Sequence, residues 1–269
     1  MITTSTAGRT GAPPARPAGF RLLASVDVEW TKNYKIKNGN VPFCYSVVYL
    51  QLPTTLDIVD TWQISYTSHY VETPAETGHL VAAAAADIRR CLEQTDLVVG
   101  HQLSSDLAVL RATAAVHHEA REAQADLDAA RAAWHARRTR IQGSGQIFDT
   151  RYDSDSVLTG SSRRLVDVCG DLGLDVTQPE LRGTSMTALH RRWLDSGEPS
   201  ARERITVLNL RHSLSAALVA LIATGARPTT ETNVNQLLAA HLPPTITWAR
   251  DPAFTALLTT AAIPGRPQS

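Results

Sequence analysis

Residues 20–30 read FRLLASVDVEW. Leu22, Leu23, Ala24, Val26 and Val28 form a short apolar run of the kind that makes a buried strand. The run ends in Asp27-Val28-Glu29. In an extended chain, residues two apart project to the same side, so both carboxylates leave the strand together. Two carboxylates held close repel each other unless a cation lies between them. Hard divalent ions such as Mg²⁺ or Mn²⁺ take oxygen ligands of this type. A strand running into a solvated acidic end would show the same residues, so the pair acquires chemical meaning only from what accompanies it.

Working outward, residues 45–52 (YSVVYLQL) and 61–66 (TWQISY) read as two further strands. Residues 32–42 (KNYKIKNGNVP), with their Asn-Gly signal, form a polar loop or hairpin. Residues 74–94 are an Ala-rich helix and 97–100 (LVVG) a short buried strand. Helical pattern resumes at Ser104 or Ser105, each of which offers a capping hydroxyl. From 107 to 140 there is no Gly or Pro, and Leu107, Leu110, Ala114, Ala123, Leu127, Ala130 and Trp134 recur near helical spacing. This segment is one long helix or a helical hairpin, an insertion over about 111–143 that offers a face for a homodimer or protein partner, or an arm over a substrate groove. Gly143-Ser144-Gly145 breaks it, and residues 146–148 form a strand entering Asp149-Thr150. Helices follow near 162–172, 185–195 and 200–224. Residues 1–19 read as a flexible tail and 228–269, interrupted by Thr and Pro, as an appended segment. The order predicts an α/β domain over 20–227, a mixed sheet flanked by helices.

Composition sets bounds on function. The chain has 269 residues, 43% hydrophobic and 19% charged, with 26 basic and 26 acidic residues. A net charge of zero gives no global attraction to nucleic acid, so such binding needs a local basic patch. Arg137, Arg138, Arg140, Arg151, Arg163 and Arg164 are the candidates, although a solvated helix end looks the same. Cys44, Cys91 and Cys169 form no CxxC pair, which argues against a zinc knuckle and suits a reducing compartment. Residues 1–19 contain no apolar signal core, and no apolar run reaches membrane-spanning length. A cytoplasmic protein with no membrane partner is expected.

Three segments now fall into order: SVDVEW at 25–30, VGHQLSSDLAVL at 99–110, and IFDT at 147–150 followed by RRLVDVCGDLGL at 163–174. They resemble the motifs of the DEDD (DnaQ-like) 3′→5′ exonucleases, which share a ribonuclease H-like fold. The second motif in that family commonly reads VGHN-x-x-FDL-x-x-L, so Gln102 replaces Asn and Ser105 replaces Phe. The resemblance spans residues 20–225. It implies Asp27, Glu29 and Asp106 as metal ligands and catalytic groups. Trp30 is a candidate for stacking a base of single-stranded substrate. His101 reads as structural with a substrate-side role, and Asp149 as a carboxylate that fixes the turn after its strand.

The fourth motif departs. The family supplies an Asp on a late helix, preceded by a His five residues earlier or a Tyr four residues earlier. Residues 205–224 (ITVLNLRHSLSAALVALIAT) contain neither Asp nor Glu. In one register Leu208 stands at the Tyr position and His212 at the Asp position. In the other, His212 is the catalytic His and Ala217 has replaced the Asp. A hydrogen-bonded core histidine is the third reading of His212. With His212 as metal ligand or general base, the resemblance implies a Mg²⁺- or Mn²⁺-dependent enzyme with a two-metal site. It would release nucleoside 5′-monophosphates from the 3′ end of single-stranded DNA or RNA. The competing implication is an exonuclease fold that has lost its chemistry and binds nucleic acid or a protein partner.

Overall fold

A computed structural model describes residues 1–7, 12–31, 40–54, 58–59, 63–139, 146–225, 227–228 and 232–258. In chain order the strands and helices begin with β1 (Ile2–Ser5), β2 (Phe20–Thr31), β3 (Val41–Pro53), β4 (Ile58–Val59) and β5 (Gln63–Tyr70). Then come α1 (Thr77–Gln94), β6 (Leu97–Gly100), α2 (Leu103–Ala114), α3 (Ala123–Ala136) and β7 (Gln146–Asp149). The remainder is α4 (Leu165–Asp171), β8 (Leu174–Asp175), α5 (Met186–Ser196), α6 (Pro199–Ala223), β9 (Arg227–Pro228), β10 (Thr232–Asn233), α7 (Val234–Ala239) and α8 (Pro252–Thr255). Most of the 32–42 loop, the start of the third expected strand, Arg140 and the Gly143-Ser144-Gly145 break lie outside the described residues.

Six strands form one mixed sheet in the order β1-β5-β3-β2-β6-β7. β1, β5, β3 and β2 pair antiparallel, while β2, β6 and β7 pair parallel. Alternation along β2 sorts its residues between two cores. Leu22, Ala24, Val26 and Val28 face α1, α2 and α3. Leu23 faces the opposite layer, built from α4, α6 and α7. Asp27 and Glu29 follow Leu23 at even intervals and therefore point to the α6 side. β6 pairs with β2 only at Leu23, Ala24 and Ser25. Beyond that point β2 continues alone beside β3, and its carboxylates overhang the place where the chain turns from β6 into α2.

Several expectations change. Residues 1–19 are not simply a loose tail, because β1 adds to the sheet edge from Ile2↔Tyr70 to Ser5↔Thr67, and Gln51 donates to the Ala15 carbonyl at 2.7 Å. The 107–140 segment is a hairpin of α2 and α3. Its apolar face is occupied within the chain, with Leu127 and Ala130 buried in the core that also holds Leu80 and Leu107. Among the described residues, 232–258 are not an appended segment. Val234, Leu238, Trp248 and Phe254 are buried against α6. Finally, α6 is by length and composition apolar enough to cross a membrane, a property that a search for unbroken apolar runs overlooks. Yet 89% of its most apolar window is buried inside the molecule, which makes it a core helix.

All three cysteines are buried and unpaired. Burial pushes the Cys91 and Cys169 thiols up to about 12 and raises Cys44 well above its ordinary value.

Candidate functional site

A cleft of about 320 Å³ opens at the overhang, lined by Asp27, Val28, Glu29, Trp30, His101, Gln102, Ser105, Asp106 and Met186. Its acidic residues come from two elements. Asp27 and Glu29 stand on β2, immediately before a bulge between Glu29 and Trp30. A bulge locally re-aims the side chains around it. Trp30 is half-buried and packs against the core while reaching the cleft. Asp106 lies in the first turn of α2. Neither Ser104 nor Ser105 caps this helix: the capping position falls on Gln102, which has φ 61 and no side-chain cap.

The third element is α6. Asn209 donates its amide to Asp27 Oδ2 at 2.6 Å and to the Asp27 carbonyl at 3.2 Å. His212, three residues on and on the same helical face, places Nδ1 3.0 Å from Glu29 Oε1 and 3.6 Å from Asp27 Oδ2. The Gln178 amide lies 3.0 Å from His212 Nε2. It presents its NH₂ to a neutral ring and its oxygen to a protonated one. One ligand atom from each of Asp27, Glu29 and His212 can be chosen so that all three lie within 4.8 Å of one another. The structure thus brings His212 to the Asp27–Glu29 pair. Ala217, the replacement in the other register, is fully buried in the apolar core.

Electrostatics follow from this crowding. Burial and the neighbouring Asp27 raise the Glu29 carboxyl, against the pull of its hydrogen bond to His212. Burial raises Asp106 well above the ordinary range, and Asp27, Glu29 and Asp149 add to it. Asp106 is only 3% exposed and, among the described residues, forms no hydrogen bond or ion pair. For His212, burial opposes protonation, but hydrogen bonds to Asp27 and Glu29 outweigh it and push the imidazole up to about 10. Asp27, Glu29 and His212 lie close enough together to hold a divalent ion, whereas Asp106 lines the same cleft outside that group. The imidazole adds a nitrogen donor that favours Mn²⁺ over Mg²⁺.

The flanking residues divide between support and cleft. His101 is a neutral ring whose Nδ1 meets the Thr150 hydroxyl at 2.9 Å and whose Nε2 donates to the Arg163 carbonyl at 3.0 Å. Burial drives it down to about 4. It lines the cleft with both nitrogens engaged. Asp149 fixes its turn, accepting from Gln102 N at 2.9 Å, Arg151 N at 3.1 Å and Trp134 Nε1 at 2.8 Å. Arg137 and Arg138 pair with Asp153, and Arg163 pairs with Asp155. Much of the expected basic patch is therefore neutralised locally.

Asn209 and Gln178 are the site residues that the sequence does not announce. Each is a single polar residue whose importance depends on how α6 crosses β2. Comparison with protein-family models, with curated proteins and with solved structures finds no match to this chain.

Proposed function

We propose that this chain is a metal-dependent 3′→5′ exonuclease of ribonuclease H-like fold, acting on single-stranded nucleic acid. The observation that carries this reading is Asp106: a buried carboxyl with no partner, facing the same cleft as Asp27 and Glu29. A buried carboxyl without a partner costs stability unless a cation joins it. A mixed sheet with helices on both faces is compatible with the fold. Asp27, Glu29 and Asp106 would hold Mg²⁺ or Mn²⁺, with His212 as a nitrogen ligand in place of a fourth acid. Bound divalent ions would activate water and stabilise the leaving 3′ oxygen. Asn209 fixes the Asp27 carboxylate, and Gln178 fixes the His212 ring. Trp30 offers a face for the terminal base.

One observation favours a second reading. His212 already supplies a positive charge to Asp27 and Glu29. A cluster neutralised this way suits a fold that binds nucleic acid without cutting it.

The test is hydrolysis of 5′-labelled single-stranded DNA and RNA with Mg²⁺ or Mn²⁺. Wild type should give a ladder shortening from the 3′ end. Asp27→Ala and Asp106→Ala should each reduce the rate by at least ~100-fold, the scale of losing an essential electrostatic group. Bound but intact oligonucleotide with both metals would replace the enzyme with the binding protein.

A further inference from the structure

Gln102 is the one non-glycine residue with a positive φ among the described residues. Glycine adopts this conformation without strain, whereas a residue with a Cβ does not. What the strained position provides is a side chain on the cleft wall. The backbone N–H of Gln102 is pinned to Asp149 Oδ1 at 2.9 Å, and its Nε2 donates to Ser105 Oγ at 2.8 Å. Because Ser105 Oγ accepts that bond, its own O–H remains available to donate. The Oε1 of Gln102 has no partner among the described residues. Both residues line the cleft, and Ser105 is adjacent to the buried, unpartnered Asp106. The wall therefore carries one donor and one acceptor side by side, next to the acidic cluster. A hydroxyl group can accept and donate at once, whereas phosphate oxygens only accept.

We propose that Gln102 and Ser105 form a hydroxyl-reading pair that recognises a ribose 2′-hydroxyl, so that RNA is the preferred strand. This rests on the exonuclease or nucleic-acid-binding reading of the same cleft. The 2′-hydroxyl is the group by which a site tells RNA from DNA. A deoxyribose would leave donor and acceptor to water or to the 3′-hydroxyl that both strands carry, which limits the discrimination to ~tenfold, the worth of one or two partly exposed hydrogen bonds.

The experiment measures binding by fluorescence anisotropy, using ribo- and deoxyribo-oligonucleotides of one sequence with wild type, Ser105→Ala and Gln102→Gly. Far-ultraviolet circular dichroism and thermal midpoints establish that each variant is folded. Gln102→Gly keeps the backbone N–H and relieves the strained φ, so it removes the amide alone. Wild type should bind the ribo strand ~tenfold tighter, and each variant should bring the ratio close to one. Equal affinities in wild type, a preference that survives in both variants, or no binding of either strand would each overturn the proposal. Hydrolysis in the same samples judges the exonuclease separately: a ribo preference without cleavage keeps the pair and removes the enzyme.

Discussion

His212 brings nitrogen to a cluster otherwise built of carboxylates, and Asn209 one turn earlier holds Asp27 in place. In the proposed metal site, ligand hardness makes this imidazole set metal choice, since oxygen-only sites suit Mg²⁺ and an imidazole moves preference toward softer ions. His212→Asp should therefore lower the Mn²⁺-over-Mg²⁺ affinity ratio by about tenfold, or roughly 1.4 kcal/mol. Isothermal titration with each ion reads this directly, and an unchanged ratio would remove His212 from the metal site. Asp27 and Glu29 were legible in the sequence because they share a strand face, and Asp106 because it falls in the first turn of a helix after a short strand. His212 was legible among the site residues, with its role left open between metal ligand, general base and core histidine. Asn209 and Gln178 were not visible, because neither has a local pattern. They gain meaning when a helix 180 residues downstream crosses β2, a contact that no spacing rule encodes.

At the scale of elements, α6 is the member on which both the cleft and the second core depend. Arg211 follows Leu210 in the apolar layer yet is fully buried. It forms a two-pronged pair with Glu180 at 2.6 and 2.7 Å and donates to Asn235 Oδ1 at 2.7 Å. Trp248 Nε1 closes the network on Glu180 at 3.1 Å. Removing one side of a buried pair leaves the other charge uncompensated, so Arg211→Ala should cost ~3–5 kcal/mol in urea unfolding. The double change Arg211→Met with Glu180→Leu should cost much less than the sum of the two singles. A loss below about 1 kcal/mol for the single change would mean that the pair contributes little. The strong elements were legible because their periodicity is local. The edge strand β1 was not: ITTS is polar and short, and it becomes a strand because β5 offers it an unpaired edge.

Across the whole molecule, buried histidines tie stability to pH. Burial lowers both His101 and His190 from 6.5 to about 4. His190 is stacked on Phe43 and bonded to the Tyr70 hydroxyl at 2.9 Å. Below pH 6.5 the unfolded chain binds protons that these folded rings refuse. Their contribution is thus complete above 6.5 and is lost as pH falls toward 4, at up to roughly 1.4 kcal/mol per histidine per pH unit. The raised Glu29 and Asp106 act with the opposite sign, so the measurement is a difference. Wild type minus His190→Gln, followed by urea midpoint from pH 7.5 to 4.5, should shrink as the medium becomes more acid. A constant difference would refute the histidine linkage.

The buried thiols add a property of the molecule as a whole. A folded chain shields all three from alkylating reagents, both by burial and by holding them as unreactive thiols. Cys91 sits in the layer under α1, whereas Cys44, whose Sγ meets Asn209 Oδ1 at 3.7 Å, and Cys169 lie on the α6 side of the sheet. Each alkylation rate therefore times the opening of its own layer, and the protein carries its own clock for whether its two halves come apart together or in turn.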